Sequence, residues 1–213
     1  MASHTYENDS ITVTFDGARC IHARRCVLAL PAAFREGVRR GWIQPGAAHP
    51  DEIAMTVMHC PSGALRYRRG DGGLEESKPA VNTVQITEDG PLHVRADLTL
   101  DGQPIGYRAT LCRCGLTRNA PFCDLSHTKA GFRATGQRSG GEVEPLPARD
   151  GSVDIRPVRN GPLSLIGNME LITASGTAFT TRTSAKLCRC GRSENKPFCD
   201  GSHQAAGFTA PGS

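Results

Sequence analysis

The stretch Cys188-Arg189-Cys190-Gly191-Arg192-Ser193-Glu194-Asn195-Lys196-Pro197-Phe198-Cys199-Asp200-Gly201-Ser202-His203 decides the fold, because it occurs twice. The earlier copy reads Cys112-Arg113-Cys114-Gly115-Leu116-Thr117-Arg118-Asn119-Ala120-Pro121-Phe122-Cys123-Asp124-Leu125-Ser126-His127. Matched positions lie 76 residues apart (112 to 188, 123 to 199, 127 to 203), and Gly131-Phe132 recurs as Gly207-Phe208 at the same interval. Upstream, Gly90-Pro91-Leu92 recurs as Gly161-Pro162-Leu163, 71 residues on. The second copy therefore carries an insertion before its first cysteine, expected in a loop around 174–177. A fixed interval over a short span marks a duplicated module.

Working outward, each copy predicts short strands, a turn and then the cysteine-rich loop. The first has strands over 92–94, 96–100 and 107–111, with a turn at Asp101-Gly102. The second has strands over 163–166, 169–172 and 179–181. Asp124 and Asp200 stand where a helix N-cap would, ahead of a short helix through the histidine.

The chemistry-bearing pattern is C-x-C-x8-C-x3-H, twice. C-x-C supplies two sulfurs from one extended stretch. C-x3-H on a helical turn puts its two ligands on one face. Two ligands from each half suit a two-iron centre: Cys112 and Cys114 for one iron, Cys123 and His127 for the other. In the second copy the pairs are Cys188 with Cys190 and Cys199 with His203. Three cysteines and a histidine also make a legitimate tetrahedral zinc site, and spacing alone leaves that open.

The pattern resembles that of the CDGSH-type (mitoNEET-like) iron–sulfur domain, over roughly residues 80–210. The second copy matches throughout, with Ser193, Pro197, Asp200 and Gly201 in place. The first has Thr117, Pro121 and Asp124, but Leu125 stands where the family has glycine. The resemblance implies two 2Fe–2S clusters, one per copy. It also implies that Thr117 and Ser193 hydrogen-bond near the clusters and that the two aspartates support the ligand helices. Leu125 removes the close backbone approach expected of a glycine, so the first cluster is expected to differ in exposure or stability. An imidazole in place of a thiolate raises the expected potential.

Three cysteines remain. Cys20 and Cys26 are spaced C-x5-C, and Cys60 precedes Pro61. Superimposed on a bacterial ferredoxin run, Ala23 occupies the second cysteine position. Three thiolates then fit a 3Fe–4S cluster, with a 4Fe–4S cluster using His22 or an exogenous ligand as the alternative. Three buried free thiols are the bland reading. A strand over 11–15, a helix over 26–34 and a helix over 51–58 capped by Asp51 complete the segment. Residues 10–70 resemble a small, divergent monocluster ferredoxin domain sometimes found beside CDGSH domains. His4, His49 and His93 read as surface residues, His59 as exposed or beside a ligand, and Trp42 as packing.

The bulk composition agrees. Nine cysteines, 24 glycines, 14 prolines and 5% aromatic residues in 213 positions do not describe one large aliphatic core. Small domains of this kind need a staple, here metal. A formal net charge of +4 is too mild to argue for nucleic acid. There is no apolar run long enough for a membrane helix and no signal-peptide core near the first residues, so a cytoplasmic, reducing location is expected. Clustered cysteines there favour metal over disulfides.

The expected architecture is α+β: a ferredoxin-like domain (1–72) and two β-rich modules (80–135 and 152–213) forming an intramolecular pseudo-dimer. Gly-rich and Pro-rich stretches at 70–78 and 135–151 read as linkers. No phosphate loop, dinucleotide fingerprint or nucleophilic triad is present, so a non-enzymatic carrier of single electrons is expected. The alternatives are a cluster donor or redox or pH sensor, and a structural zinc module. The expected partner is a redox or cluster-acceptor protein, with no nucleic acid and no membrane, and the chain is expected to be a monomer.

Overall fold

The computed structural model describes residues 3–38, 40–139 and 143–213. The chain is a small mixed α+β protein in two compact units, Met1–Ser77 and Lys78–Ser213. None of its described helices is long and apolar enough to cross a membrane.

In the first unit, β1 (Ser3–Glu7), β2 (Ile11–Asp16) and β3 (Leu65–Arg69) form an antiparallel sheet in the order β1-β2-β3. Alternation along β2 buries Ile11 and Val13, as the period of two requires. Helix α1 (Arg25–Ala29) is shorter than the expected 26–34, because Pro31 ends it. Helix α2 (Pro50–Met58) buries Ile53 and Val57 against the sheet core. Its cap is His49 rather than Asp51: His49 Nδ1 accepts from Asp51 N at 3.4 Å, and Glu52 Oε2 accepts from His49 N at 3.1 Å. This is a reciprocal capping box with Pro50 in the first turn. Trp42 packs edge-on against Phe15 at 4.8 Å between ring centroids.

The second unit holds six strands. The first module contributes β4 (Thr83–Ile86), β5 (Leu92–Leu100) and β6 (Gln103–Leu111). The second contributes β7 (Ser152–Pro157), β8 (Leu163–Ile172) and β9 (Ala178–Leu187). Within each module the strands pair antiparallel. Between modules, β4 lies parallel to β8 and β7 lies parallel to β5. The four strands β4, β5, β7 and β8 thus form a closed circuit, with β6 and β9 flanking it. The breaks expected near 95 and 167 are register shifts in continuous strands.

One core serves both modules. Val84, Ile86, Leu92 and Leu98 from the first pack with Val153, Ile155, Leu163 and Leu171 from the second, all 1% exposed or less. Neither module encloses its own apolar faces. The helices α3 (Ser126–Lys129) and α4 (Ser202–Ala205) are single turns that carry the two histidines.

Of the stretch 135–151 expected as a linker, residues 140–142 lie outside the described residues. Its first part is fastened to the second module. Arg138 donates to Lys196 O at 2.7 Å and to Asn195 Oδ1 at 2.8 Å, and its guanidinium lies over the Phe198 ring.

Candidate metal centres

Each cysteine-rich loop is built the same way. β6 ends at Leu111, and the chain doubles back so that Leu111 bridges Phe122. Cys112 N donates to Pro121 O at 2.9 Å, and Cys123 N donates to Thr110 O at 2.9 Å. The second loop repeats this, with Cys188 N on Pro197 O at 2.7 Å and Cys199 N on Lys186 O at 2.9 Å. Both prolines follow cis peptide bonds. Pro121 and Pro197 thus hold the loops through their carbonyls, and the backbone at the first cysteine of each loop runs beside the backbone leading into the third.

Thr117 and Ser193 act as staples inside the loops. Thr117 Oγ1 donates to Phe122 O at 2.7 Å and accepts from Asn119 N at 3.1 Å. Ser193 Oγ donates to Phe198 O at 2.6 Å and accepts from Asn195 N at 3.1 Å. The aspartates join loop to helix. Asp124 accepts from Arg118 N and Ser126 N, both at 3.0 Å. Asp200 accepts from Glu194 N at 2.8 Å and from Ser202 N at 3.0 Å. The Ser202 hydroxyl, which donates to Asp200 at 2.6 Å, and then these two backbone N–H groups hold the Asp200 carboxyl well below the ordinary carboxylate range.

The helix caps themselves are Leu125 and Gly201, one residue later than expected, and both are left-handed (φ +67° and +91°). A Cβ on Gly201 would have nothing within 4 Å. The position takes a positive φ, which a glycine adopts freely and Leu125 adopts with a side chain.

The ligand atoms lie in pairs. Cys112 Sγ and Cys114 Sγ are 3.6 Å apart, and Cys123 Sγ and His127 Nδ1 are 3.5 Å apart. In the second module the corresponding separations are 3.8 Å and 3.4 Å. Among the described residues, no three histidine, cysteine or carboxylate side chains converge closely enough to share a single ion. Backbone N–H groups point at the sulfurs, with Leu125 N 3.4 Å from Cys123 Sγ and Arg192 N 3.4 Å from Cys190 Sγ. Hydrogen bonding from Cys114 pulls the Cys112 thiol down to about 6, while the same bond and burial push Cys114 up. Burial pushes the Cys123 thiol up to about 11 and raises Cys188. Burial also lowers the His127 imidazole, which favours the neutral form that binds metal.

Arg113 and Arg189, between the paired cysteines, carried no role in the sequence reading, yet they are 1% and 2% exposed. Arg113 donates to the carbonyls of Gly90, Thr135, Thr87 and Ala134 at 2.7–3.0 Å. Arg189 donates to those of Gly161, Pro211 and Val158 at 2.5–3.0 Å. Each stacks on the phenylalanine of its own Gly-Phe pair, Phe132 or Phe208. The signal was available: an invariant arginine between two cysteines in both copies of a repeat.

In the first unit, Cys20, Cys26 and Cys60 line one cavity of about 330 Å³, together with His22, Ala23 and Trp42. The loop between the first two cysteines turns through two left-handed residues, His22 (φ +47°) and Arg24 (φ +59°). The N–H of His22 reaches the Cys20 sulfur, and that of Val27 reaches Cys26. Burial raises the Cys20 thiol and pushes Cys26 up to about 11, with the other cysteines of the set adding to the rise. Ala23 lines the cavity at the position of the missing cysteine, and His22 and His59 are exposed. None of the nine cysteines is in a disulfide.

Comparison with known proteins places names on these parts. The family described as iron-binding zinc finger CDGSH type matches residues 89–128 and 160–204. A family described as divergent 4Fe-4S mono-cluster matches residues 6–70. The chain is similar to CDGSH iron-sulfur domain-containing protein 1 of Rattus norvegicus, with 33% identity over 84 residues, 39% of this chain and 69% of that protein. The Bos taurus protein of the same name is 34% identical over 84 residues, 39% of this chain and 71% of its own length. Uncharacterized protein YjdI of Escherichia coli (strain K12) is 35% identical over 63 residues, 30% of this chain and 82% of that protein. No solved structure gives a significant match.

Proposed function

Since the chain belongs to the CDGSH iron–sulfur family, we propose that this iron–sulfur protein carries single electrons on several clusters and catalyses no reaction of its own. Each C-terminal module holds one 2Fe–2S cluster, through Cys112, Cys114, Cys123 and His127 and through Cys188, Cys190, Cys199 and His203. Cys20, Cys26 and Cys60 hold a third.

The observation that carries this reading is the pairing of the ligand atoms. Around one tetrahedral zinc, all four donors would crowd a single point. Here they are close only two by two, which suits two irons held apart by bridging sulfides. Buried thiols with N–H groups aimed at them suit a negatively charged cluster. When bound, the clusters supply the one-electron chemistry. The chain's residues fix the ligand geometry, exclude water from the first cysteines and leave the histidine side partly open.

The first unit supports a 3Fe–4S cluster, because alanine at position 23 supplies no fourth ligand. A 4Fe–4S cluster there would take His22 or an exogenous ligand. The strand exchange between β4 and β8 and between β5 and β7 supports an intramolecular pseudo-dimer, in which one chain supplies both halves. The partner is a redox or cluster-acceptor protein, met in a reducing, cytoplasmic setting.

Two measurements test the function. Repeated reduction and re-oxidation by a redox partner, with no loss of visible absorbance, is expected of a carrier. Transfer of clusters to an apo-ferredoxin, abolished by His203→Cys, would show a donor instead.

A further inference from the structure

Residues 133–138 join the two modules by more than the chain itself. On the first module, Arg133 pairs with Asp89 at 2.6 Å, Ala134 N donates to Asp89 Oδ1 at 2.9 Å, and Gly136 N donates to Glu88 Oε2 at 2.6 Å. On the second, Ala174 N donates to Gly136 O at 2.8 Å, and Ser175 Oγ donates to Gln137 Oε1 at 3.2 Å. Ala174 and Ser175 lie in the turn between β8 and β9, where the insertion of the second copy is expected. Gly136 sits at the crossing. A Cβ there would come within 2.6 Å of Glu88 N and 2.8 Å of the Ala174 Cβ, so only glycine leaves room for both modules.

The stretch also reaches a cysteine loop at each end. Arg113, between Cys112 and Cys114, donates to Ala134 O and Thr135 O, both at 3.0 Å. Arg138 donates to Lys196 O at 2.7 Å and to Asn195 Oδ1 at 2.8 Å, and its guanidinium lies 5.3 Å from the centre of the Phe198 ring. That turn contains Pro197, whose carbonyl accepts from Cys188 N, and leads into Cys199. A planar guanidinium that meets two acceptors and a ring at once fixes the turn in one geometry. An unbroken run of direct contacts thus passes from the first cysteine loop through 134–138 to the second.

We propose that 133–138 is a bridge that couples the two metal centres: loading of either one slows loss of the other, and Arg138 is the positioning residue that carries the coupling. This rests on the proposed cluster assignment. A loaded first loop holds Arg113, Arg113 holds the carbonyls of 134 and 135, and the stretch then holds Arg138 on the second loop. Coupling between two sites is reciprocal, so a loaded second loop protects the first by the same factor. The two clusters are therefore retained together and lost together, as a carrier of several clusters requires.

The test compares full chains carrying both C-terminal centres or one. Cys112→Ala with Cys114→Ala leaves the second centre, and Cys188→Ala with Cys190→Ala leaves the first. Each is held with excess EDTA, and the two-iron EPR signal is followed in samples reduced at intervals. The unsubstituted chain is expected to keep its signal about fivefold longer than either single-centre chain. Arg138→Ala in the two-centre chain is expected to remove that advantage. Decay of the unsubstituted chain as the plain sum of the single-centre chains overturns the proposal, as does an advantage that survives Arg138→Ala. If Arg138→Ala shortens the lifetime of the second centre alone by the same factor, it merely supports its own loop, and the coupling is again overturned. Should Arg138→Ala not fold, Asn195→Ala removes one acceptor of the guanidinium and is expected to shrink the advantage; an undiminished one contradicts the bridge. Iron and sulfide are counted alongside. Zinc in their place sinks the cluster assignment, and the same comparison of zinc release then decides the bridge.

Discussion

Leu125 and Gly201 occupy the same place in the two loops and differ only in what the backbone costs them. Both are left-handed, and a Cβ at Gly201 meets nothing. Leu125→Gly is expected to stabilise the C-terminal unit by about 1 kcal/mol, and Gly201→Leu to destabilise it by a similar amount. Paired denaturant titrations check both; a loss of stability in Leu125→Gly would mean that its side chain packs usefully. In the first unit, Arg69 holds Asp51 at 2.6 Å and Asp71 at 2.7 Å, joining α2, β3 and the stretch that follows. The Asp71 carboxyl is lowered to about 2, first by the hydrogen bond from Arg69. A depressed carboxylate contributes its stability above its unfolded pKa, near 3.9, and loses it as pH falls toward the folded value. The stability difference between the unsubstituted chain and Asp71→Asn is therefore expected to be full at neutral pH, to shrink as pH falls below about 4 and to vanish only below about pH 2. A difference independent of pH would contradict this. The arginines show where reading single residues stopped short. Their type and repetition were plain, but nothing in a sequence distinguishes a buried guanidinium that solvates itself on carbonyls from an exposed one.

At the scale of elements, a hydroxyl staple ties each cysteine loop to itself. Ser193 is 1% exposed, and its hydroxyl serves two backbone groups. Ser193→Ala leaves Asn195 N and Phe198 O without that partner and is expected to cost about 1–2 kcal/mol. Its second cluster is expected to fade faster, read as loss of visible absorbance, while Thr117→Ser, which keeps the hydroxyl, fades at the usual rate. The loops, the long strands β5 and β8 and the turn at Asp101-Gly102 were legible because metal-ligand spacing and period-two alternation are local signals. Strands β1, β3, β4 and β7 were not read. β4 and β7 are short, and besides their hairpin partners β5 and β8 each pairs with a strand of the other module more than 50 residues distant, which no local signal announces. The cap of α2 was assigned to Asp51 because carboxylates are the usual caps. The capping box centred on His49 appears only once the imidazole is seen to accept from the helix.

At the scale of the molecule, the duplication gives a single core that neither module completes. Sedimentation is expected to find a monomer, because the pairings that a homodimer of single modules would need are satisfied within the chain. An obligate dimer would contradict the proposed pseudo-dimer. The central claim is that the chain assembles around clusters rather than around zinc. Iron and acid-labile sulfide analysis with EPR in both redox states tests it most directly. The account predicts about seven irons and eight sulfides per chain, a signal from the three-iron centre in the oxidised protein, and two-iron signals on reduction. A colourless protein with stoichiometric zinc and no EPR signal in either state would contradict it.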